Sequence, residues 1–457
     1  MGTGPPCARR RSHLEVRMRA TTLPLALLVL GACGPGGRNG GDDDSHPGGD
    51  AAVEPSDARV DAESDNHCPG GTATYLTGVV LAPNGVDPVA NASVYVPRTL
   101  EPFPDALTCD ICGDLIANAA VLTHSAADGT FRLGPLPTAV APMPGATVDV
   151  VAQKGRFRRL TKVAISSWCA DNSAPDDALE LPGRQEDTIN AMPKIAVVSG
   201  MYDDMECVLL KLGIDADAIS MYAGVPVEPV PSGNDFLRDP VALARYNIVF
   251  INCGNAYELE LLLDNQVKTA LAGYVAAGGR LYVTDQSYDF VEQVGAWSGT
   301  IDFAPGPSAA VPEQMDTAQL GDDGIKSDAL VLDTTMADWL RAVEVRSGDE
   351  IIDDTGRVRI ENFLGGWAMQ LSVAAVDTAK VWMSGPVSGL GLPMTERPLT
   401  TTFDVASCGR VLYSSYHTLG RPILPNTFPD YCTAGTLSPQ ERVLEYLILH
   451  AADCIVQ

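Results

Sequence analysis

The chain has 457 residues, 46% hydrophobic and 19% charged, a composition that can build a sizeable core and argues against disorder over most of the length. Asp and Glu number 58 against 31 Lys and Arg, a formal net charge of -27; phosphate backbones are bound through cationic side chains, so nucleic acid is not an expected partner. In chain order, the first feature is a basic stretch, Arg9, Arg10, Arg11, Arg17 and Arg19, ahead of the apolar run Leu23 to Leu30. A run this short falls below the roughly 20 apolar residues of a membrane-spanning helix and reads as an export signal.

The run ends in Leu30-Gly31-Ala32-Cys33, which resembles a bacterial lipobox. The resemblance implies cleavage after residue 32, Cys33 as the lipidated first residue, and a membrane tether without a spanning helix, since two or more acyl chains anchor stably where one does not. Met18, followed at once by Arg19, opens an equally complete signal, so the start is either Met1 or Met18. Removing residues 1–32 takes away five arginines and Glu15 and moves the formal charge to -31. Residues 33–66 are rich in Gly, Asp, Pro and Ala and are expected to be a disordered tether. Asp42-Asp43-Asp44 lacks the alternate spacing of an EF-hand loop.

Eleven cysteines are present; leaving out Cys7 and Cys33, nine belong to the exported chain, where disulfides are the expected state. Cys68, Cys109, Cys112 and Cys169 form an upstream group expected to pair internally, with three possible connectivities. Cys207, Cys253, Cys408, Cys432 and Cys454 form a downstream group that leaves one thiol free or uses a partner, and Cys253 is expected to be bonded, with Cys207 as its candidate partner. Cys109-Asp110-Ile111-Cys112 has zinc-ribbon spacing, but a second such pair is missing, so no metal site and no cofactor are expected.

From residue 67 to 183, short alternating runs separated by turns predict a small all-β sandwich. Gly78-Val79-Val80, Pro88-Val89-Ala90-Asn91-Ala92-Ser93-Val94 and Asp128-Gly129-Thr130-Phe131 resemble the carboxypeptidase regulatory-like, transthyretin-like module. Lys154, Arg156 and Arg158, with Arg159 and Lys162 beside them, make a basic stripe in an acidic chain. It is expected to be a solvated face, with docking of an anionic glycan, a lipid head group or the chain's own acidic domain as the functional alternative.

After a polar linker at 184–192, residues 193–457 alternate buried-strand patterns with helical ones and predict a doubly wound α/β domain with a parallel sheet. The expected parallel strands are Ile195 to Ser199, Ile248 to Asn252, Arg280 to Thr284, Lys380 to Ser384 and Arg410 to Ser414. Val267, Leu271, Tyr274 and Val275 share one helical face closed by Gly278-Gly279, and Ser438-Pro439-Gln440-Glu441 is a capping box. Tyr246 to Phe250, Tyr274 to Leu281 and Cys408 to His417 resemble the class I glutamine amidotransferase-like fold, especially its trehalose-utilisation-like branch. The whole arrangement is similar to surface lipoproteins of myxobacteria-like bacteria.

In that family a cysteine nucleophile sits on the strand-to-helix turn, activated by a histidine. The matching turn here, Val283-Thr284-Asp285-Gln286-Ser287-Tyr288, holds no cysteine, so glutaminase activity is expected to be absent. Open α/β sheets place ligands at the carboxyl ends of their strands, and Gly254, Asp285, Tyr288 and His417 are the candidate rim; no catalytic residue is assigned. The expected role is that of a non-catalytic lipoprotein of the cell envelope, at the outer membrane or cell surface, binding a glycan or a protein. The alternatives are a hydrolase using Asp285 and His417, and a structural or assembly component.

Overall fold

A computed structural model describes residues 68–453, except 70–71, 112–115, 117, 142, 226–228, 256–257, 305–314, 362, 364–365, 417–427, 434 and 452. Cys33, the tether, Cys112, His417 and Cys454 lie outside the described residues, which all belong to one compact unit.

The first part of the chain forms two sheets. β1 (Tyr75–Val79), β4 (Thr130–Leu133) and β7 (Asp171–Ser173) make a three-stranded sheet in the order β4-β1-β7. β2 (Ser93–Pro97), β3 (Ala119–His124), β5 (Thr147–Lys154) and β6 (Phe157–Ala164) make a four-stranded antiparallel sheet in the order β3-β2-β5-β6. Alternation in these strands sends Leu76, Val94, Phe131, Leu133, Val148, Val150 and Val163 into one core. Tight turns fix the register. Lys154 pairs with Phe157 across the two-residue loop Gly155-Arg156, and Asn84 Oδ1 accepts the main-chain N–H groups of Val86 and Asp87, each at 3.0 Å.

The second part is a nine-stranded sheet flanked by helices. Five strands run parallel in the order β9-β8-β10-β11-β18: β8 (Ile195–Ser199), β9 (Ile219–Ala223), β10 (Ile248–Ile251), β11 (Arg280–Thr284) and β18 (Gly409–Ser414). Beyond β18 the sheet continues antiparallel through β17 (Leu392–Val405), β16 (Ala379–Gly389), β13 (Ser327–Val331) and β14 (Arg357–Ile360). This corrects one expectation: Lys380 to Ser384 lies in an antiparallel strand. An apolar run buried on both faces looks the same in either orientation; the Gly389-Leu390-Gly391-Leu392 turn, which folds β16 back onto β17, decides it.

The inner parallel strands β8, β10, β11 and β18 are buried on both faces because helices cover both, while the edge strand β9 is half-buried. Ile195, Val197, Ile248, Phe250, Tyr282 and Leu412 face a core completed by α1 (Met205–Lys211), α7 (Thr334–Ser347) and α8 (Pro439–Ala451). Ala196, Val198, Val249, Ile251, Leu281, Val283 and Val411 face the opposite core, with α2 (Gly233–Arg238), α3 (Pro240–Leu243), α4 (Glu258–Leu263) and α5 (Asn265–Ala276). Helix α6 (Asp289–Glu292) adds Phe290 and Val291 there, and the short pair β12 (Ile301–Asp302) with β15 (Ser372–Val373) lies outside the large sheet. The helix signals read from the sequence are present. Val267, Leu271, Tyr274 and Val275 are buried on one face of α5, and Glu441 Oε2 accepts the Ser438 N–H at 2.7 Å at the start of α8.

The two parts share a tight seam. The turn after β1 enters between α7 and α8, where the Trp339 indole donates to the Pro88 carbonyl at 2.6 Å and Arg346 Nε to the Val86 carbonyl at 3.1 Å. The insertion between β2 and β3 lies flat against the end of α5: a side chain at Gly278, whose φ is 110°, would meet the Thr108 carbonyl. Three residues of the basic stripe, Lys154, Arg156 and Arg158, are here too and are buried, not solvated, while Arg159 is half-buried and Lys162 is exposed as expected. Lys154 pairs with Asp453 at 2.6 Å, Arg156 pairs with Asp110 at 2.7 Å, and Arg158 lies over the Phe103 ring at 3.9 Å. The partners come from distant segments, which a local strand period does not reveal. The linker is likewise fastened, since Arg158 and Ala191 exchange main-chain hydrogen bonds.

Among the described residues the bridges are Cys68–Cys169, Cys109–Cys408 and Cys207–Cys432. Two expectations are corrected. Cys109 leaves the upstream group to join the turn before β18, because the insertion folds onto the large sheet instead of its own module. Cys253 is a buried free thiol, because its candidate partner Cys207 faces Cys432.

Candidate functional site: the carboxyl ends of the parallel strands

Strands β8, β10, β11 and β18 end side by side, Ile251 opposite Val283 and Thr284 opposite Ser414. Thr284 is still extended, with φ of -120°, and Asp285 then turns into the left-handed region with φ of 43°. Left-handed backbone is uncommon outside glycine, and aspartate is among the residues that tolerate it. The chain continues through a single 3-10 turn, Asp285–Tyr288, into α6. This is a sharp strand-to-helix turn with a carboxylate at its first position.

That carboxylate is engaged on both oxygens. Asp285 is 2% exposed; its Oδ1 accepts the Ala368 N–H at 2.7 Å, and the Cys253 thiol donates to its Oδ2 at 3.7 Å. The Tyr413 hydroxyl closes the turn from below by donating to the Asp285 carbonyl at 3.0 Å. Cys253, at the end of β10, is 1% exposed. Burial, and then the negative charge of Asp285, push its thiol well above the usual cysteine range. The thiol stays protonated and is neither a nucleophile nor a ready metal ligand.

Beneath the turn runs a polar network the sequence reading did not name. Thr284 Oγ1 accepts the Cys253 N–H at 2.9 Å and donates to Asp203 Oδ2 at 2.6 Å. Asn252 Nδ2 donates to the Asp203 carbonyl at 3.2 Å and to Glu206 Oε2 at 2.8 Å, and Ser287 donates to the Asn252 carbonyl at 3.0 Å. The Tyr431 hydroxyl donates to Glu206 Oε1 at 2.5 Å. Burial pushes Glu206 up to about 7, and Asp204 nearby adds to the shift against these hydrogen bonds. On the other side of the turn, burial pushes Asp289 up to about 6 and Glu258 well above the carboxylate range, the latter helped by the charges of Asp289 and Asp316. One signal for these residues was available: Asp203, Asp204 and Glu206 come within a few residues of the end of β8, which puts acids near a strand end.

Of the four rim candidates, Gly254 and Asp285 meet through Cys253. Gly254 has φ of 91°, and a side chain there would collide with the Tyr202 ring and the Met201 N–H; the glycine lets the loop after β8 lie on the loop after β10. Tyr288 faces away from this pair. Its hydroxyl accepts the N–H groups of Thr317 and Ala318 at 2.8 and 3.0 Å, and its ring packs on Phe303 with centroids 5.1 Å apart. His417 lies outside the described residues. Among the described residues of the rim, Tyr202 is an exposed aromatic, 46% exposed. Among the described residues no group of three or more His, Cys, Asp or Glu could hold a metal ion, and no helix is long and apolar enough to cross a membrane.

No family model and no curated protein matches the chain. Among solved structures, a cytoplasmic protein from Salmonella typhimurium is similar over 58% of this chain and 100% of its own, at 12% identity and a TM-score of 0.30. A ThuA-like protein from Parabacteroides merdae is similar over 57% of this chain and 91% of its own, at 10% identity and a TM-score of 0.32. A GMP synthase protein from Thermoplasma acidophilum is similar over 57% of this chain and 95% of its own, at 10% identity and a TM-score of 0.31.

Proposed function

We propose that this chain is an envelope-anchored lipoprotein, held through Cys33, in which a transthyretin-like sandwich and an amidotransferase-like α/β domain without glutaminase activity bind a glycan or protein partner. The observation that carries the non-catalytic half is the state of Asp285. A base or nucleophile needs a lone pair aimed at substrate, whereas this carboxylate is buried, with Ala368 N–H on one oxygen and the Cys253 thiol on the other. The one described free thiol sits a strand away from the turn and is held protonated. The hydrolase reading needs Asp285 exposed to substrate, and these contacts disfavour it.

For the binding half, the rim offers an exposed tyrosine ring packed on a strand-end glycine, and an aromatic face is the kind of platform on which a sugar ring or an apolar side chain rests. The test uses the purified mature protein: glutamate release from glutamine, and binding to an envelope-glycan panel and to envelope-protein fractions, each with wild type and with Tyr202→Ala. The expected result is no glutamine hydrolysis and a bound partner whose affinity drops at least tenfold in the variant. Glutamine turnover overturns the first half. A partner bound equally by both forms, or none bound at all, overturns the second.

A further inference from the structure

The seam between the two parts holds three ionisable side chains with almost no access to water: Asp87 at 1%, Arg442 at 4% and Glu445 at 0% exposure. Asp87 comes from the turn after β1, Arg442 and Glu445 from successive turns of α8. Arg442 Nη1 pairs with Asp87 Oδ2 on one side and Glu445 Oε2, at 3.0 Å, on the other. Asp87 Oδ2 also receives the Asn84 amide at 2.5 Å. Two carboxylates thus face one guanidinium, and Asp87 Oδ1, Glu445 Oε1 and Arg442 Nε have no hydrogen-bond partner among the described residues.

The cations on neighbouring elements make their own contacts. Lys211 of α1 pairs with Glu441, one turn before Glu445, at 2.8 Å. Arg346 of α7 donates to the Val86 carbonyl beside the triad. An uncompensated charge in a water-excluded seam costs several kcal/mol, so such a group takes up a proton instead.

We propose that the triad is a one-proton clasp: Glu445 carries a proton that it shares with Asp87, and loss of that proton leaves a net negative charge that loosens the turn 83–88 from α8. One guanidinium balances only one of the two carboxylates, so the triad is balanced when Glu445 is neutral, and the hydroxyl of Glu445 then supplies a donor for Asp87 Oδ1. Burial first, and then the charge of Asp87, raise Glu445 well above the usual glutamate range, against the pull of Arg442. The sign follows. The folded chain binds this proton more tightly than the unfolded one, so the contribution to stability is full below the unfolded value and is lost as pH rises toward the folded value. The seam is therefore tight in acid and slack in alkali.

Glu445→Gln supplies the neutral form permanently, and Asp87→Asn removes the charge that demands a proton. Thermal unfolding from about pH 5 to about pH 9 is compared among wild type and both variants. Other buried acids contribute to the wild-type slope, so the readout is the difference between each variant and wild type. The expected result is that the unfolding temperature falls less with pH in each variant, with the curves converging at the acid end. The infrared carbonyl band of a protonated buried carboxyl at neutral pH is present in wild type and diminished in Glu445→Gln. Parallel curves for all three proteins, or a wild-type band that Glu445→Gln leaves unchanged, would overturn the proposal; the infrared measurement decides the matter even if Asp87→Asn fails to fold.

Discussion

Cys253 and Asp285 stand just past the ends of adjacent parallel strands, with the thiol donating to the carboxylate across 3.7 Å. Thiol and acid are both at the strand ends, yet the acid holds the sharp turn and the thiol lies buried one strand away. A nucleophile must be accessible and readily ionised, and this arrangement denies Cys253 both properties.

The folded protein should therefore resist thiol reagents at Cys253. A maleimide added to the native mature protein is expected to leave Cys253 unmodified over hours at neutral pH, and the same reagent in denaturant is expected to label it fully. Peptide mass mapping reads the result. Rapid native labelling at Cys253 would contradict the buried, protonated state.

Asp285 is expected to be structural. Asp285→Ala removes the acceptor of the buried Ala368 N–H and should cost about 1–3 kcal/mol, the penalty for leaving such a donor unsatisfied. Asp285→Asn keeps an acceptor and tolerates the left-handed backbone, so it should cost clearly less. Urea unfolding of both variants separates the two. Equal and negligible losses would mean that the carboxylate does not hold the turn.

Glu206 supplies a pH dependence of its own. Its folded value of about 7 lies above the unfolded 4.5, so the folded chain binds the extra proton between these two values. Stability from this group is complete below about pH 4.5 and falls as pH rises through about 7, by on the order of 3 kcal/mol at most. Glu206→Gln should flatten this segment of the stability curve, with Tyr431 and Asn252 turning to bond the amide. An unchanged slope between about pH 5 and pH 8 would rule this out.

What the sequence revealed and what it hid follow from how local each signal is. The helix face of Val267, Leu271, Tyr274 and Val275 and the capping box at Ser438 and Glu441 depend on residues a few positions apart, and both are present. Strand orientation at Lys380 to Ser384 depends on which strand pairs with it, and an apolar run carries no such information. The same holds for the buried Lys154 and Arg156 of the basic stripe, whose partners Asp453 and Asp110 lie 299 and 46 residues away. At the candidate site the acids after β8 were visible as letters. Their role as a network around Thr284 and Asn252 appears only once β8, β10 and β11 lie side by side.

The bridge Cys109–Cys408 joins segments 299 residues apart and fastens the insertion between β2 and β3 to the turn before β18. Closing a long loop restricts the unfolded chain, and removing a native bridge typically costs about 2–5 kcal/mol. Here the insertion has other holds: Arg156 on Asp110, Arg158 over Phe103, Gly278 flush with Thr108, and Leu107 packed into the core around α5. These contacts act on the folded side and the bridge acts chiefly on the unfolded side, so they do not replace one another. A Cys109→Ser, Cys408→Ser double variant should therefore fold with its helices and sheets intact, yet unfold at a clearly lower urea concentration, with a loss of about 2–4 kcal/mol. Circular dichroism establishes the first point and the urea midpoint the second. A midpoint equal to that of wild type would mean that the bridge adds nothing beyond the contacts around it, and a collapsed spectrum would mean that the insertion cannot dock without it.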